Sequence, residues 1–309
     1  MTDRQPMIKE EPLLVEKRWT QLCSVPFDIK DAQHILTWVR ASVAFTVFTW
    51  VSLGPFSNFY TEQSDLLFAP SGLAALIPSI TPFSFQLLKA TTLAGCLGML
   101  FPRLARFSTV ITTTAFGLLN GYVSGFSELW NYNTHLNLFL LCLAFDPSSA
   151  DGNSPSKRAK QRTSAILYFM RFEVAILYLQ AGLSKLIHGG PFWYAKTPYV
   201  HLVLQDRFGK TLFGEVPNVV ALLGALVLVV ELLLPFLLLN CKTRTFGVFL
   251  AILLHVSFYF TLGISFWHLW VLFPALFLVG LSQDDLVLQN WKRLQNFWIR
   301  RKIIASAQN

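Results

Sequence analysis

Charge is scarce in this chain. Of 309 residues only 14% are Asp, Glu, Lys or Arg, and 53% are hydrophobic, with a mean hydropathy of +0.48. A soluble domain needs a solvated, charged surface, and this composition cannot supply one. Cysteine is scarcer still. Cys23, Cys96, Cys142 and Cys241 are scattered and form no CxxC pair, which argues against disulfide relay chemistry and a thiolate zinc site. No metal is expected, and the thiols read as small buried hydrophobes. No cleavable leader is expected either, because the first apolar run lies behind 34 polar and charged residues and has no small-residue cleavage site beside it. That run is expected to act as an uncleaved signal anchor. No internal repeat is visible. The net charge of +8 accompanies no soluble basic fold, so nucleic-acid binding is not expected.

What the chain does have is long apolar runs. They cover 35–53, 83–101, 105–123, 135–145, 164–187, 219–239 and 246–281, and most are near the roughly 20 residues needed to cross a hydrocarbon core. The last would reach ~54 Å as one helix, against a core of ~30 Å, so two spans hinged near Gly263 fit better. The fourth reaches spanning length only if it starts near Trp130. The expected fold is therefore all-α, a polytopic bundle of about eight transmembrane helices.

Lys and Arg positions set the expected orientation. Alternate connections carry the bases: Arg4 to Arg40, then Arg103 and Arg106, Lys157 to Arg162, Lys242 and Arg244, and Lys292 to Lys302. The intervening connections before residue 135 carry Glu62, Asp65 and Glu128 but no base. Only the long stretch 188–216 breaks the pattern, with Lys196, Arg207 and Lys210. Both termini are thus expected in the cytoplasm, with basic residues available to anionic lipid. The organisation is a polar segment 1–30, a membrane domain 31–282 interrupted by a flexible polar linker 146–163, and a basic tail 283–309.

Charges inside apolar runs then become informative, since each needs a partner, a wet cavity or a task. Arg171, Tyr178 and Lys185 recur every seven residues and share one helix face. Ala181 and Gly182 beside them allow close approach of another helix or a flat ligand. Glu173 and Gln180 lie about 200° away, so the fifth helix is expected to be buried all round. By depth, Lys185, His135, His188 and His268 are expected together near the outer boundary. Arg171, Glu173, Glu231 and His255 are expected deeper, and Pro235 leaves the Glu231 carbonyl without its helical amide.

Plainer readings accompany each. Arg171 with Glu173 or Glu231 reads as a structural ion pair. Lys185 could simply extend its ammonium to interfacial water. His135 and His268 could rest on backbone carbonyls, and Trp130, Trp193, Tyr194, Trp267, Trp270 and Trp291 read as an interfacial belt.

Several segments together resemble a known family. YLQAGLSKL followed by Trp193, VRASVAF in the first run, NYNTHLNLFLLCLAF in the fourth, ELLLPFLLL in the sixth and LLHVSFYFTLGISFWHLW across the last two are similar to the horizontally transferred transmembrane (HTTM) domain of the vitamin K-dependent gamma-carboxylase superfamily. The resemblance spans about residues 30–282. It implies that Lys185 is the base that deprotonates reduced vitamin K or another isoprenoid quinol, and that His135 belongs to the same centre, although Thr134 stands where the family has Asn. Tyr178, Ala181, Gly182, His255 and His268 would contact the quinol head group. Oxygenation would then generate the strong base that abstracts a glutamate gamma proton before carbon dioxide adds. The family's luminal substrate-binding domain is expected to be absent, so a separate protein substrate or subunit is the expected partner, beside membrane lipid and quinone. The membrane is expected to be an endomembrane such as the endoplasmic reticulum, or a bacterial inner membrane. A non-catalytic module that binds lipid or assists a partner's maturation remains the alternative.

Overall fold

The computed structural model describes residues 29, 31–54, 56, 76, 80–125, 134–146, 156–190, 192–194, 217–262 and 264–279. Trp130, Gly263, most of the 188–216 connection and the basic tail lie outside them. The described residues form helices and no strand: α1 (Ala32–Leu53), α2 (Pro82–Gly98), α3 (Ala105–Ser124), α4 (Thr134–Ala144), α5 (Lys157–Gly189), α6 (Pro217–Leu239), α7 (Arg244–Leu262), α8 (Trp267–Trp270) and a π-helical turn (Pro274–Leu278). Within α1, α5, α6 and α7 lie stretches long and apolar enough to cross a membrane. Large apolar side chains cover the outside of the bundle, including Phe45, Phe107, Phe145, Phe236, Phe249 and Phe260. Such an exterior belongs in lipid, and the protein is a membrane protein.

Helix ends follow local chemistry. Pro82 opens α2 behind Thr81, whose hydroxyl accepts from the Ser84 amide, and Ser156 caps α5 by accepting from Ala159. α5 begins at Lys157, so the last third of the expected flexible linker is helical. Its far end stops at Gly190, whose φ of 73° suits glycine.

The most enclosed helix is α1. Ile35, Leu36, Val39, Val43, Val47 and Val51 recur at helical spacing and are almost wholly buried, and α1 touches α2, α4, α5, α8 and the π-helical turn. α5 was expected to be enclosed on all sides, and it is not. Phe169, Phe172, Ile176, Gln180, Leu183 and Ile187 form an exposed stripe at spacings of three and four, so one polar residue, Gln180, sits on the outer face.

α2 and α3 pack through small residues. Gly95 faces Thr112 and Gly98 faces Ser108, and a methyl group at either glycine would collide with the facing hydroxyl. The run STVITTT is a poor helix former on propensity. Here Thr109, Thr112, Thr113 and Thr114 each donate to the carbonyl four residues back, which satisfies their hydroxyls in an apolar setting.

Beyond Gly263 a second span was expected, and the part of it among the described residues, 267–278, is one short α-helical turn followed by the π-helical turn. Pro274 lacks the amide that would continue an α-helix, and the Val279 amide instead reaches five residues back to the Pro274 carbonyl at 3.0 Å.

Candidate functional site

Lys185 and Glu231 form the strongest polar feature of the bundle. The Lys185 ammonium lies 2.6 Å from both carboxylate oxygens of Glu231 and 5.4 Å from the centre of the Trp193 ring. The pair is unequal in access. The lysine side chain keeps 23% of its exposure and the glutamate 4%. Gly182 lets the two helices come together here, because a side-chain carbon at this position would run into Leu232 and touch the Glu231 side chain. Its small size therefore admits α6 rather than a flat ligand. Ala181 beside it is half-buried.

Two expectations change at this pair. Glu231 was placed deeper than Lys185, yet the two meet. Glu231 lies ~21 Å along α6 from Pro217, past its midpoint, while Lys185 is ~6 Å from the end of α5. Side chains on a helix lean toward its N-terminus, so Lys185 runs back along α5 into the bundle instead of outward to water. Arg171 was expected to pair with Glu231 or Glu173, and it pairs with neither. Glu231 is taken by Lys185. Glu173 is two positions from Arg171, about 200° round the helix, and residues so spaced do not face each other.

Arg171 instead donates its Nε to the Leu276 carbonyl at 2.7 Å, with Phe277 6.0 Å from the guanidinium. Leu276 is in the last turn before Leu278, where carbonyls have no helical partner and the helix end is negative. The Glu173 carboxylate is buried without a hydrogen-bond partner among the described residues.

Tyr178 and His255 are both buried and share a hydrogen bond of 2.7 Å between Oη and Nε2. Phe258, Phe266 and Phe273 surround the imidazole at centroid distances of 6.2, 5.2 and 6.4 Å. A third group lies at α8. His135 donates from Nε2 to the His268 carbonyl at 3.3 Å, and the two rings stack at 5.2 Å with an interplanar angle of 21°. Trp50 packs on His268 at 4.5 Å. Of the four groups expected near one level, His135 and His268 are in contact and His188 is exposed, while among the described residues the hydrogen bonds of Lys185 go to Glu231.

One segment links these groups. Residues 266–277 supply Phe266 and Phe273 to His255, His268 to His135, and the Leu276 carbonyl to Arg171. Its irregularity gives that reach, since a continuous α-helix would direct side chains and carbonyls along one repeating pattern.

Sequence reasoning did not single out a second ion pair. Arg40 Nη2 lies 2.7 Å from Asp146 Oδ2, with Thr163 donating to Oδ1 at 3.1 Å. Asp146, expected in a flexible linker, has no exposed side-chain surface. An arginine inside the apolar first run was the available signal, because it requires a counter-charge.

Comparison with models of protein families, with curated proteins and with solved structures yields no match.

Proposed function

We propose that this chain is a multi-pass protein of the HTTM type, crossing the membrane about eight times with both termini on the basic, cytoplasmic side. We further propose that its Lys185–Glu231 pair accepts a proton from a lipid-soluble acid, an isoprenoid quinol such as reduced vitamin K. The observation that carries this reading is the half-open ion pair: a carboxylate closed off from its surroundings, paired with a lysine that is still accessible. Supporting it are the order of the segments that resemble the family and the Trp193 ring beside the ammonium.

The geometry addresses the main chemical objection to a lysine base. A lysine accepts a proton only when neutral, and Lys185 is engaged as a cation by two oxygens. Glu231 can take one of its protons over a distance of 2.6 Å. Lys185 is then free to accept a proton from a hydroxyl on its exposed side, and the ammonium so restored faces the negative oxygen left behind. The proton has moved to Glu231 and no charge has been created in the low-dielectric interior. The donor set fits a quinol: an accessible amine for the hydroxyl and an aromatic ring for the head group. The quinol would supply the acidic hydroxyl and, once ionised, the reactivity toward oxygen. His135 would belong to the same centre, and the proposed protein partner is a separate substrate or subunit.

The competing reading is a non-catalytic module in which the same pair clasps α5 to α6. The close packing at Gly182 favours it. Quinol consumption by purified protein separates the two. Loss of consumption in folded Lys185→Ala supports the base, and equal consumption by parent and variant removes it. If the parent consumes none and no quinone copurifies by mass spectrometry, the module reading stands.

A further inference from the structure

We propose that the exposed stripe of α5 is where a second copy of this chain packs, with Gln180 and Ser184 bonding to their counterparts across a two-fold axis. Ile176, Leu183 and Ile187 are exposed and stand within about 60° of Gln180 around the helix. Such a face suits lipid except at its centre, where the Gln180 amide is exposed as well. Exposed Ser184 follows one turn on, about 40° round the helix, so the two polar side chains are neighbours on its surface.

Hydroxyls on other helices are satisfied within their own helix. Thr112, Thr113, Thr114 and Ser124 on α3 and Thr261 on α7 each donate to the carbonyl four residues back. Ser184 does not, and among the described residues neither it nor the Gln180 amide has a hydrogen-bond partner. Hydrocarbon supplies none, and a polar group left unbonded there is costly, so a neighbouring helix is the natural source. Two features make that helix another copy of α5. An amide and a hydroxyl each donate and accept, so the pair is complementary to itself and needs no partner of opposite charge. Copies of one chain also enter a membrane in one orientation. A two-fold axis along the membrane normal therefore sets Gln180 against Gln180 and Ser184 against Ser184 at equal depth, an isologous contact. The nearest charges on α5 do not oppose it. Glu173, on the same face, has both carboxylate oxygens buried, and Lys185 stands about 140° round the helix from Gln180 with its ammonium on Glu231. The small Ser184 side chain lets the two helices approach closely. The interface does not depend on the Lys185–Glu231 chemistry.

The test is energy transfer between full chains carrying donor or acceptor fluorophores, reconstituted in phosphatidylcholine liposomes and diluted with added lipid. The parent should show transfer that falls as lipid is added, the mark of reversible association. Gln180→Leu should weaken that association by about 10-fold, and Gln180→Asn, which keeps a donor and an acceptor, should retain most of it. In a second measurement, Ser184→Cys should form a disulfide-linked dimer on mild oxidation, beyond the parent's own level, and Leu222→Cys on the exposed face of α6 should not. Transfer no greater than random mixing in the parent overturns the proposal, as does equal association of Gln180→Leu. Equal cross-linking at Leu222→Cys and Ser184→Cys also overturns it. So does a lowered unfolding temperature for Gln180→Leu where the parent is monomeric, which would assign the amide to a contact within one chain.

Discussion

Among the described residues the bundle holds two acid–base pairs of nearly equal length and opposite character. Arg40–Asp146 is closed: both side chains are buried, the second carboxylate oxygen is taken by Thr163, and the three residues join α1, the end of α4 and the start of α5. Lys185–Glu231 is closed on one side only. A buried pair whose every oxygen is engaged holds structure. A pair with one accessible, proton-bearing partner retains the capacity to react. The difference is in the choice of base as much as in exposure, since arginine does not give up its proton in proteins and lysine can.

The largest effect that should sharpen this contrast is at the closed pair. Asp146→Ala leaves Arg40 buried without its acid, and we expect a loss of about 3–5 kcal/mol, read as a lowered unfolding temperature in detergent. Any quinol turnover should fall only in proportion to folded protein. At the open pair the expectation reverses. Glu231→Gln removes the proton acceptor but preserves shape, and quinol consumption should fall by about 100-fold or more, with a smaller stability change than at Asp146. Equal stability losses at the two pairs, with turnover unaffected, would erase the distinction.

Packing variants give intermediate effects. Gly95→Val places a branched side chain against Thr112 and should separate α2 from α3 at a cost of about 1–3 kcal/mol, without selective loss of turnover. Gly182→Ala meets the flexible end of Leu232 and should cost less, while shifting the Lys185–Glu231 geometry enough to slow turnover. The smallest expected change is Tyr178→Phe, which removes the hydrogen bond to His255 and should cost about 0.5–1.5 kcal/mol by equilibrium unfolding.

Most helices were legible in the sequence, because apolar length and turn residues are local signals. α1, α3, α6 and α7 lie within a few residues of the expected runs. Pairing was less legible. Asp146 opens a stretch rich in Ser, Pro and Gly that reads as linker, and its partner Arg40 is far away in the chain. The Lys185–Glu231 pair was hidden by a depth estimate that counted residues and ignored the lean of side chains along a helix. The irregular 266–277 segment was masked by its own hydrophobicity, which reads as a span whether the backbone is α or π, although Pro274 was a local warning.

The central claim is that the open pair is a proton acceptor and the closed pair a clasp. Its most direct test is the rate of quinol consumption, per folded molecule, for the parent and Lys185→Ala measured side by side. A fall of about 100-fold or more in the variant is predicted. Equal rates from equally folded protein would contradict it and leave both pairs as structural clasps.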